Sequence, residues 1–139
     1  MGAWGHGPFE NDTAMDFVGG LADGPADAVP DRLRTAMTVV LEADGYLESD
    51  EVEAALAAAC LVTARIDASV PLDGSARKYL EELEFTPGDD LRDLASRVFV
   101  RALDPSDNEW YDVWADSGAF TKVEAAVSGY RRALAHGRS

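Results

Sequence analysis

Apolar residues recur at intervals of three and four along most of this chain, and that spacing is typical of one face of an α-helix. The clearest stripe comprises Leu91, Leu94, Ala95, Val98, Phe99 and Ala102. A second stripe, in the closing segment, comprises Phe120, Val123, Val127, Tyr130 and Leu134. No run of β-branched and aromatic residues alternates strictly, as a half-buried strand would require. The spacing therefore predicts an all-α protein.

Residues that start helices divide the stripes into segments. Asn11 and Asp12 are both suited to cap the first helix, and Gly19 and Gly20 are expected to make its end short or frayed. Pro30 suits the first turn of the second helix, and Gly45 is placed to end it. Ser49 is expected to cap a third helix. The alanine-rich residues 54–59 within it would let other helices approach closely, which predicts a central position.

The second half of the chain contains similar signals. Residues 86–89 separate the fourth helix from the fifth. Ser106 and Glu109 have the spacing of a capping box for the sixth helix, and Gly118 is placed to end it. A chain of 139 residues is about the size of one domain. We therefore expect residues 1–139 to form a single compact bundle of six or seven short helices.

The charge restricts the partners that such a protein can bind. There are 26 acidic and 12 basic residues, and the formal net charge is −14. Nucleic-acid backbones and anionic membrane surfaces are bound through Lys and Arg, so we expect neither as a partner. A basic protein is the partner that the charge favours. The same charge would also serve solubility alone.

The expected location is the cytoplasm. No apolar run approaches the roughly 18 residues of a membrane span. The opening residues lack the basic patch and apolar stretch of a secretory signal. The single cysteine, Cys60, cannot form an intrachain disulfide and suits a reducing compartment.

The opening segment has the most unusual sequence. Three glycines alternate with other residues around Trp4 and His6, and Phe9 follows. A phosphate-binding loop is disfavoured, because no strand precedes the glycines and no Gly-Lys-Ser/Thr sequence follows them. The glycines permit tight turns, so we predict an ordered loop that folds Trp4 and Phe9 onto the helical core.

Carboxylates near this loop are the best candidates for a cation site. Asp12 and Asp16 share a helix face, and Glu10 lies close to them in sequence. The competing interpretation is structural, because Asn11 or Asp12 is needed as a cap and acids are common in a first helical turn. His6 would be able to donate protons if exposed, although no partner acid must lie near it. The sequence thus predicts no bound metal and no cofactor.

The segment from Asp44 to Glu51 resembles the second half of an EF-hand calcium loop. Aligning Gly45 and Glu51 with the glycine and the bidentate acid of that loop places Val40 at the first ligand position. Valine cannot bind calcium, so a helix end followed by a capped helix is the preferred interpretation.

Cys60 and the aromatic residues of the sixth helix are the remaining candidates. Cys60 lies on an apolar helix face with no histidine nearby, which favours a packed core thiol over a nucleophile. Trp110 and Trp114 are expected to face the core together with Val113, and Tyr111 is expected to point outward. The two histidines lie near the chain ends and give no zinc-ligand spacing.

The segment from Gly2 to Phe17 resembles the opening of a bacterial family, domain of unknown function 4259, which is common in actinobacteria. Its members begin with Gly-x-Trp-Gly-x-Gly-x-Phe-Asp-Asn-Asp-x-Ala, and here Glu10 replaces the usual Asp. The resemblance continues through residues 46–59 and returns at 106–114 and in the closing helix, so it covers nearly the whole chain. It implies a small cytoplasmic helical protein and brings no established activity, cofactor or catalytic residue.

Two functions remain open. The favoured one is a non-enzymatic interaction protein that binds a basic protein, because no catalytic constellation is evident. The alternative is an enzyme or cation-binding protein that uses carboxylates near the N-terminal loop. The alternative predicts that His6, Glu10, Asp12 and Asp16 converge at a pocket with perturbed pKa values.

Overall fold

The computed structural model describes residues 9, 11–67, 70 and 74–136, and within them the predicted all-α fold is confirmed. The helices are α1 (Asp12–Asp23), α2 (Val29–Leu41), α3 (Ser49–Ile66), α4 (Gly74–Glu82), α5 (Asp89–Ala102), α6 (Glu109–Ser117) and α7 (Phe120–His136). A short 3₁₀ turn, Ala26–Ala28, precedes α2. These ranges contain no strand, and the helices pack as a compact bundle. The predicted glycine-rich loop lies almost entirely outside the described residues.

Helix α3 is the centre of the bundle, as its small residues predict. Every side chain from Ala55 to Ala64 is buried, and α3 contacts α1, α2, α5, α6 and α7. Alanine at five of these ten positions lets neighbouring helices approach closely. The sequence indicated one buried face, whereas the structure buries the whole circumference of the helix in this stretch.

The predicted stripes of α5 and α7 face the core. All members of the α5 stripe are buried except Leu94, which is partly buried. In α7 every member of the stripe is buried except Phe120, which is partly buried. At the outer surface Arg34 of α2 donates to Asp90 of α5 with an Nη2–Oδ2 distance of 2.6 Å. An exposed ion pair of this kind contributes little stability, so the apolar contacts hold these helices together.

The cap predicted for α1 is confirmed, and the one predicted for α3 is wrong by one residue. The Asn11 side-chain oxygen accepts a hydrogen bond from the Ala14 amide at 2.7 Å. The residue before α3 is Glu48 rather than Ser49, and its backbone N–H donates to Glu51 Oε1 at 3.2 Å. The Glu48 side chain accepts a hydrogen bond from the Glu51 backbone N–H in return. Two glutamates therefore form the cap that the sequence assigns to Ser49.

The capping box predicted at Ser106 and Glu109 is also wrong. The cap of α6 is Asn108, whose Oδ1 accepts from the Tyr111 amide at 3.1 Å. The Ser106 amide instead donates to Asp104 Oδ1, which stabilises the turn before the helix. At the other end, Gly118 adopts a left-handed conformation with φ of 80°, as its predicted role requires.

Two helix ends differ from the sequence prediction. Helix α1 continues through Gly19 and Gly20, which we expected to fray it, and ends only at Asp23. Arg32 explains the difference, because its Nη1 donates to the Gly20 carbonyl at 2.7 Å and satisfies an acceptor of the last turn. Helix α2 ends at Leu41, before Gly45 is reached.

Candidate functional site

The described part of the opening motif is structural at two positions. Phe9 is buried with 2% of its surface exposed and belongs to the core cluster. Asn11 is buried and caps α1. Asp12 and Asp16 are exposed on the first turns of α1. The other three candidate residues of the motif lie outside the described residues; they are Trp4, His6 and Glu10.

The start of α1 lies against the start of α3. Thr13 Oγ1 donates to Asp50 Oδ1 over 3.5 Å, at the long limit of a hydrogen bond. Next to this pair Glu53 is half-buried, and its burial raises the pKa of its carboxyl. The negative charges of Asp50 and Asp12 raise that pKa further, while the nearby Thr13 hydroxyl lowers it. Three carboxylates from two distant segments therefore lie close enough to influence one another.

A second contact joins the start of α3 to the start of α6. The Leu47 amide donates to the Asp107 carbonyl at 2.8 Å, and the Glu109 amide donates to the Leu47 carbonyl at 3.0 Å. The Ser49 amide, in the first turn of α3, donates to Glu109 Oε1 at 2.8 Å. Glu109 thus satisfies a backbone donor of another helix, which fixes its carboxylate beside α3.

Tyr46 extends this contact at the surface. Its hydroxyl donates to Asp112 Oδ2 at 3.0 Å, although 54% of the residue is exposed. Desolvation of the hydroxyl raises the pKa of Tyr46, and the hydrogen bond to Asp112 and the charges of Glu109 and Asp107 raise it further. Val113, next to Asp112 in the chain, is also 54% exposed. An aromatic and an aliphatic side chain therefore stand among carboxylates.

Both contacts lie at the start of α3, and we name the carboxylates that they bring there the acidic face. It consists of Asp12, Asp50, Glu53, Asp107, Glu109 and Asp112. Within the described ranges no Lys or Arg forms an ion pair with any of these carboxylates, because the ion pairs found there involve Asp31, Asp90 and Asp93. Arg101 lies at the border, where its Nη2 donates to the carbonyls of Ser106 and Asp107.

The acidic face does not form a metal centre. Among the described residues no group of three or more His, Cys, Asp or Glu side chains is arranged to hold a metal ion. The EF-hand resemblance also has a structural explanation. Val40 is buried in α2, and Glu51 is engaged in the capping interaction with Glu48.

Cys60 is fully buried in α3. Burial raises the pKa of its thiol well above the ordinary value, which keeps the sulfur protonated and unreactive at neutral pH. Cys60 packs as a core residue, in agreement with the favoured interpretation of the sequence.

The aromatic residues of α6 are arranged differently from the prediction. Trp110 is buried, but Tyr111 packs against Phe120 of α7 with 4.3 Å between ring centroids. Val113, expected to face the core, is the exposed residue of the group. The turn at Gly118 brings α7 back along α6, so that Phe120 covers the side of the helix on which Tyr111 lies.

Sequence reasoning missed the residues that assemble the acidic face. The sequence pattern assigns Glu109 to a local capping box and gives no functional role to Tyr46 or Asp112. A signal existed in the absence of Lys and Arg from residues 42–53 and 104–116, two stretches rich in Asp and Glu. Nothing in the sequence indicates that these stretches meet, because the connection is a long-range contact.

Comparison with known proteins identifies the family and nothing finer. The family model described as Domain of unknown function (DUF4259) matches residues 2–126. No curated protein and no solved structure matches the chain. None of the described helices is long and apolar enough to cross a membrane.

Proposed function

The chain belongs to the DUF4259 family, and we propose that it is a cytoplasmic, non-enzymatic binding protein whose acidic face takes up a basic segment of a partner protein. We further propose that it acts as a single helical domain in a bacterial cell. The one free cysteine suits a reducing compartment, which supports the cytoplasmic location.

One observation carries this proposal: three acidic segments that are distant in sequence meet at the start of α3. Asp12 comes from α1, Asp50 from α3, and Asp112 from α6. Within the described residues no basic side chain pairs with the acidic face. Like charges held together repel one another, and a partner that brings Lys or Arg would relieve that repulsion.

Tyr46 and Val113 supply exposed apolar surface, which the carboxylates do not provide. Clustered carboxylates steer a basic partner and raise its association rate, but exposed ion pairs contribute little to affinity. Tyrosine is among the residues that most often dominate the energy of protein interfaces. Tyr46 is held by Asp112, so less side-chain freedom is lost when a partner covers its ring.

The test compares two variants with the same net charge. The first replaces Asp50, Asp107 and Asp112 of the acidic face by Asn. The second replaces Asp23, Asp27 and Glu81, exposed residues elsewhere, by Asn, Asn and Gln. Both raise the formal net charge from −14 to −11, since each removes three negative charges. The Asn side chains keep an acceptor for the hydroxyls of Thr13 and Tyr46.

The probe is a Lys- and Leu-rich amphipathic peptide, and its binding is measured by fluorescence anisotropy at several salt concentrations. We expect the first variant to bind at least about tenfold more weakly than the second, with a shallower dependence on salt. Tyr46→Ala in the wild-type background should also weaken binding. Equal weakening by the two triple variants would contradict the proposal, because binding would then depend on net charge and not on the acidic face.

A further inference from the structure

A polar groove lies between α5 and α7, on elements that contribute nothing to the acidic face. Its cavity has a volume of about 730 Å³. The α5 side supplies Asp89, Arg92, Asp93 and Ser96, and the α7 side includes Arg131. Small-molecule sites in proteins typically occupy roughly 300–1,000 Å³, so the groove is of suitable size.

The spacing of the α5 residues makes the groove a feature of the helix face. Residues 89, 92, 93 and 96 stand at positions i, i+3, i+4 and i+7, which share one side of a helix. The apolar stripe of α5 occupies another side and faces the core. Where a helix turns toward a neighbour, its facing side is normally apolar. Here that side carries two acids, one base and a hydroxyl.

Side chains of both charge signs line the groove. Arg131 is exposed, and within the described residues it forms no ion pair. Arg92 is half-buried on the opposite helix. Asp89 is exposed, and among the described residues Asp93 forms an ion pair with Arg97 over 3.5 Å. Guanidinium groups bind carboxylate and phosphate oxygens in a planar, two-pronged geometry, and carboxylates bind ammonium groups.

The mixture of charges selects the class of ligand. A simple anion would meet Asp89 and Asp93 as well as the negative field of the whole protein. A simple cation would meet Arg92 and Arg131. We propose that the α5–α7 groove binds a small zwitterion, which carries a carboxylate or phosphate oxyanion for Arg131 and an ammonium group for the aspartates. Leu134, buried at the groove, offers an apolar contact to the carbon chain between them.

Amide chemical shifts test this proposal directly. The ¹⁵N-labelled protein is titrated separately with L-glutamine, γ-aminobutyrate and phosphoethanolamine, and with acetate, phosphate and ethylammonium as singly functional controls. We expect saturable shifts confined to residues 89–96 and 131–135 with at least one zwitterion. Its dissociation constant should be at least about tenfold below those of the three controls. Comparing phosphoethanolamine with the two amino acids distinguishes a phosphate from a carboxylate ligand.

A matched pair of variants places the site. Arg131→Gln removes a lining guanidinium, and we expect about tenfold weaker binding, the effect of losing one charge-assisted hydrogen bond. Arg132→Gln removes the same charge from the next residue, which is exposed and does not line the groove, and should leave binding unchanged. The proposal is overturned if no zwitterion gives saturable shifts, if acetate or ethylammonium binds as tightly, or if both variants weaken binding equally.

Discussion

Leu47 and Asn108 form an isolated parallel β-bridge that connects the segment before α3 to the segment before α6. Both residues are fully buried. Two backbone hydrogen bonds, of 2.8 and 3.0 Å, hold Leu47 between Asp107 and Glu109. The bridge brings the acidic residues of α6 to the start of α3, and the acidic face therefore depends on it.

Asn108 is the residue whose loss should damage this connection most. Its Oδ1 caps α6, and its Nδ2 donates to the carbonyls of Ala102 and Asp104 at 3.0 and 3.1 Å. Asn108→Ala removes the cap and leaves a buried carbonyl without this donor. We expect a loss of about 2–3 kcal/mol in the free energy of unfolding, measured with urea.

Ser106→Ala is the control for Asn108→Ala. The sequence pattern assigns the cap to Ser106. In the structure the Ser106 backbone N–H donates to Asp104 in the turn before α6, and Ser106 is exposed. The free energy of unfolding should then change by less than about 0.5 kcal/mol. A loss as large as that of Asn108→Ala would show that Ser106 is the true cap.

Glu53 should make stability depend on pH in a defined direction. Its pKa in the folded protein is raised above the usual value of 4.5, chiefly by burial. The unfolded chain thus gives up this proton at lower pH than the folded protein, so the carboxyl costs stability as pH rises from 4.5 through the folded pKa. Glu53→Gln removes this cost. Relative to wild type, its urea midpoint should be higher at about pH 7 than at about pH 4.

Glu42→Gln corrects for the removal of one negative charge from an acidic protein. Glu42 is exposed at the end of α2, whereas Glu53 is half-buried in α3. Its midpoint relative to wild type should change less with pH than that of Glu53→Gln. A pH-independent difference for Glu53→Gln would refute the assignment of a raised pKa.

Cys60 should be inert in the folded protein. Its side chain is buried in the middle of α3, so a thiol reagent can reach it only when the core opens. We expect labelling by a coloured disulfide reagent to be at least about a hundredfold slower without urea than in the unfolded chain. Rapid labelling of the folded protein would show an accessible thiol and reopen a nucleophilic role.

The periodicity of the sequence predicted the helices because each apolar residue indicates which side of its own helix is buried. Each member of the α5 stripe contributes its apolar surface to the core, and the spacing alone reveals which side of the helix it occupies. The ends of the helices are harder to predict, because a residue distant in sequence can form the hydrogen bonds that their backbone groups need. Arg32 extends α1 past two glycines, and Glu109 serves α3 from another helix.

The candidate site was less predictable for the same reason. The proximity of Thr13 to Asp50, and of Tyr46 to Asp112, depends on which helices are neighbours. Stripes of apolar residues identify a buried face without identifying what covers it. The acid-rich segments were visible in the sequence, but their assembly into one surface required the three-dimensional fold.

Phe9 gives the sharpest test of the opening motif, because among the candidate motif residues that the structure describes it is the one that belongs to the core cluster. With 2% of its surface exposed, its ring has exchanged water for close contacts, and truncation would leave a cavity. Phe9→Ala should lower the free energy of unfolding by about 3–5 kcal/mol, and Phe9→Leu by less, because leucine refills part of the space. Val39→Ala, at a residue that is 43% exposed, should cost less than about 1 kcal/mol. If Phe9→Ala unfolds at the wild-type urea midpoint, the ring contributes nothing to stability, and the motif must then serve a function other than packing.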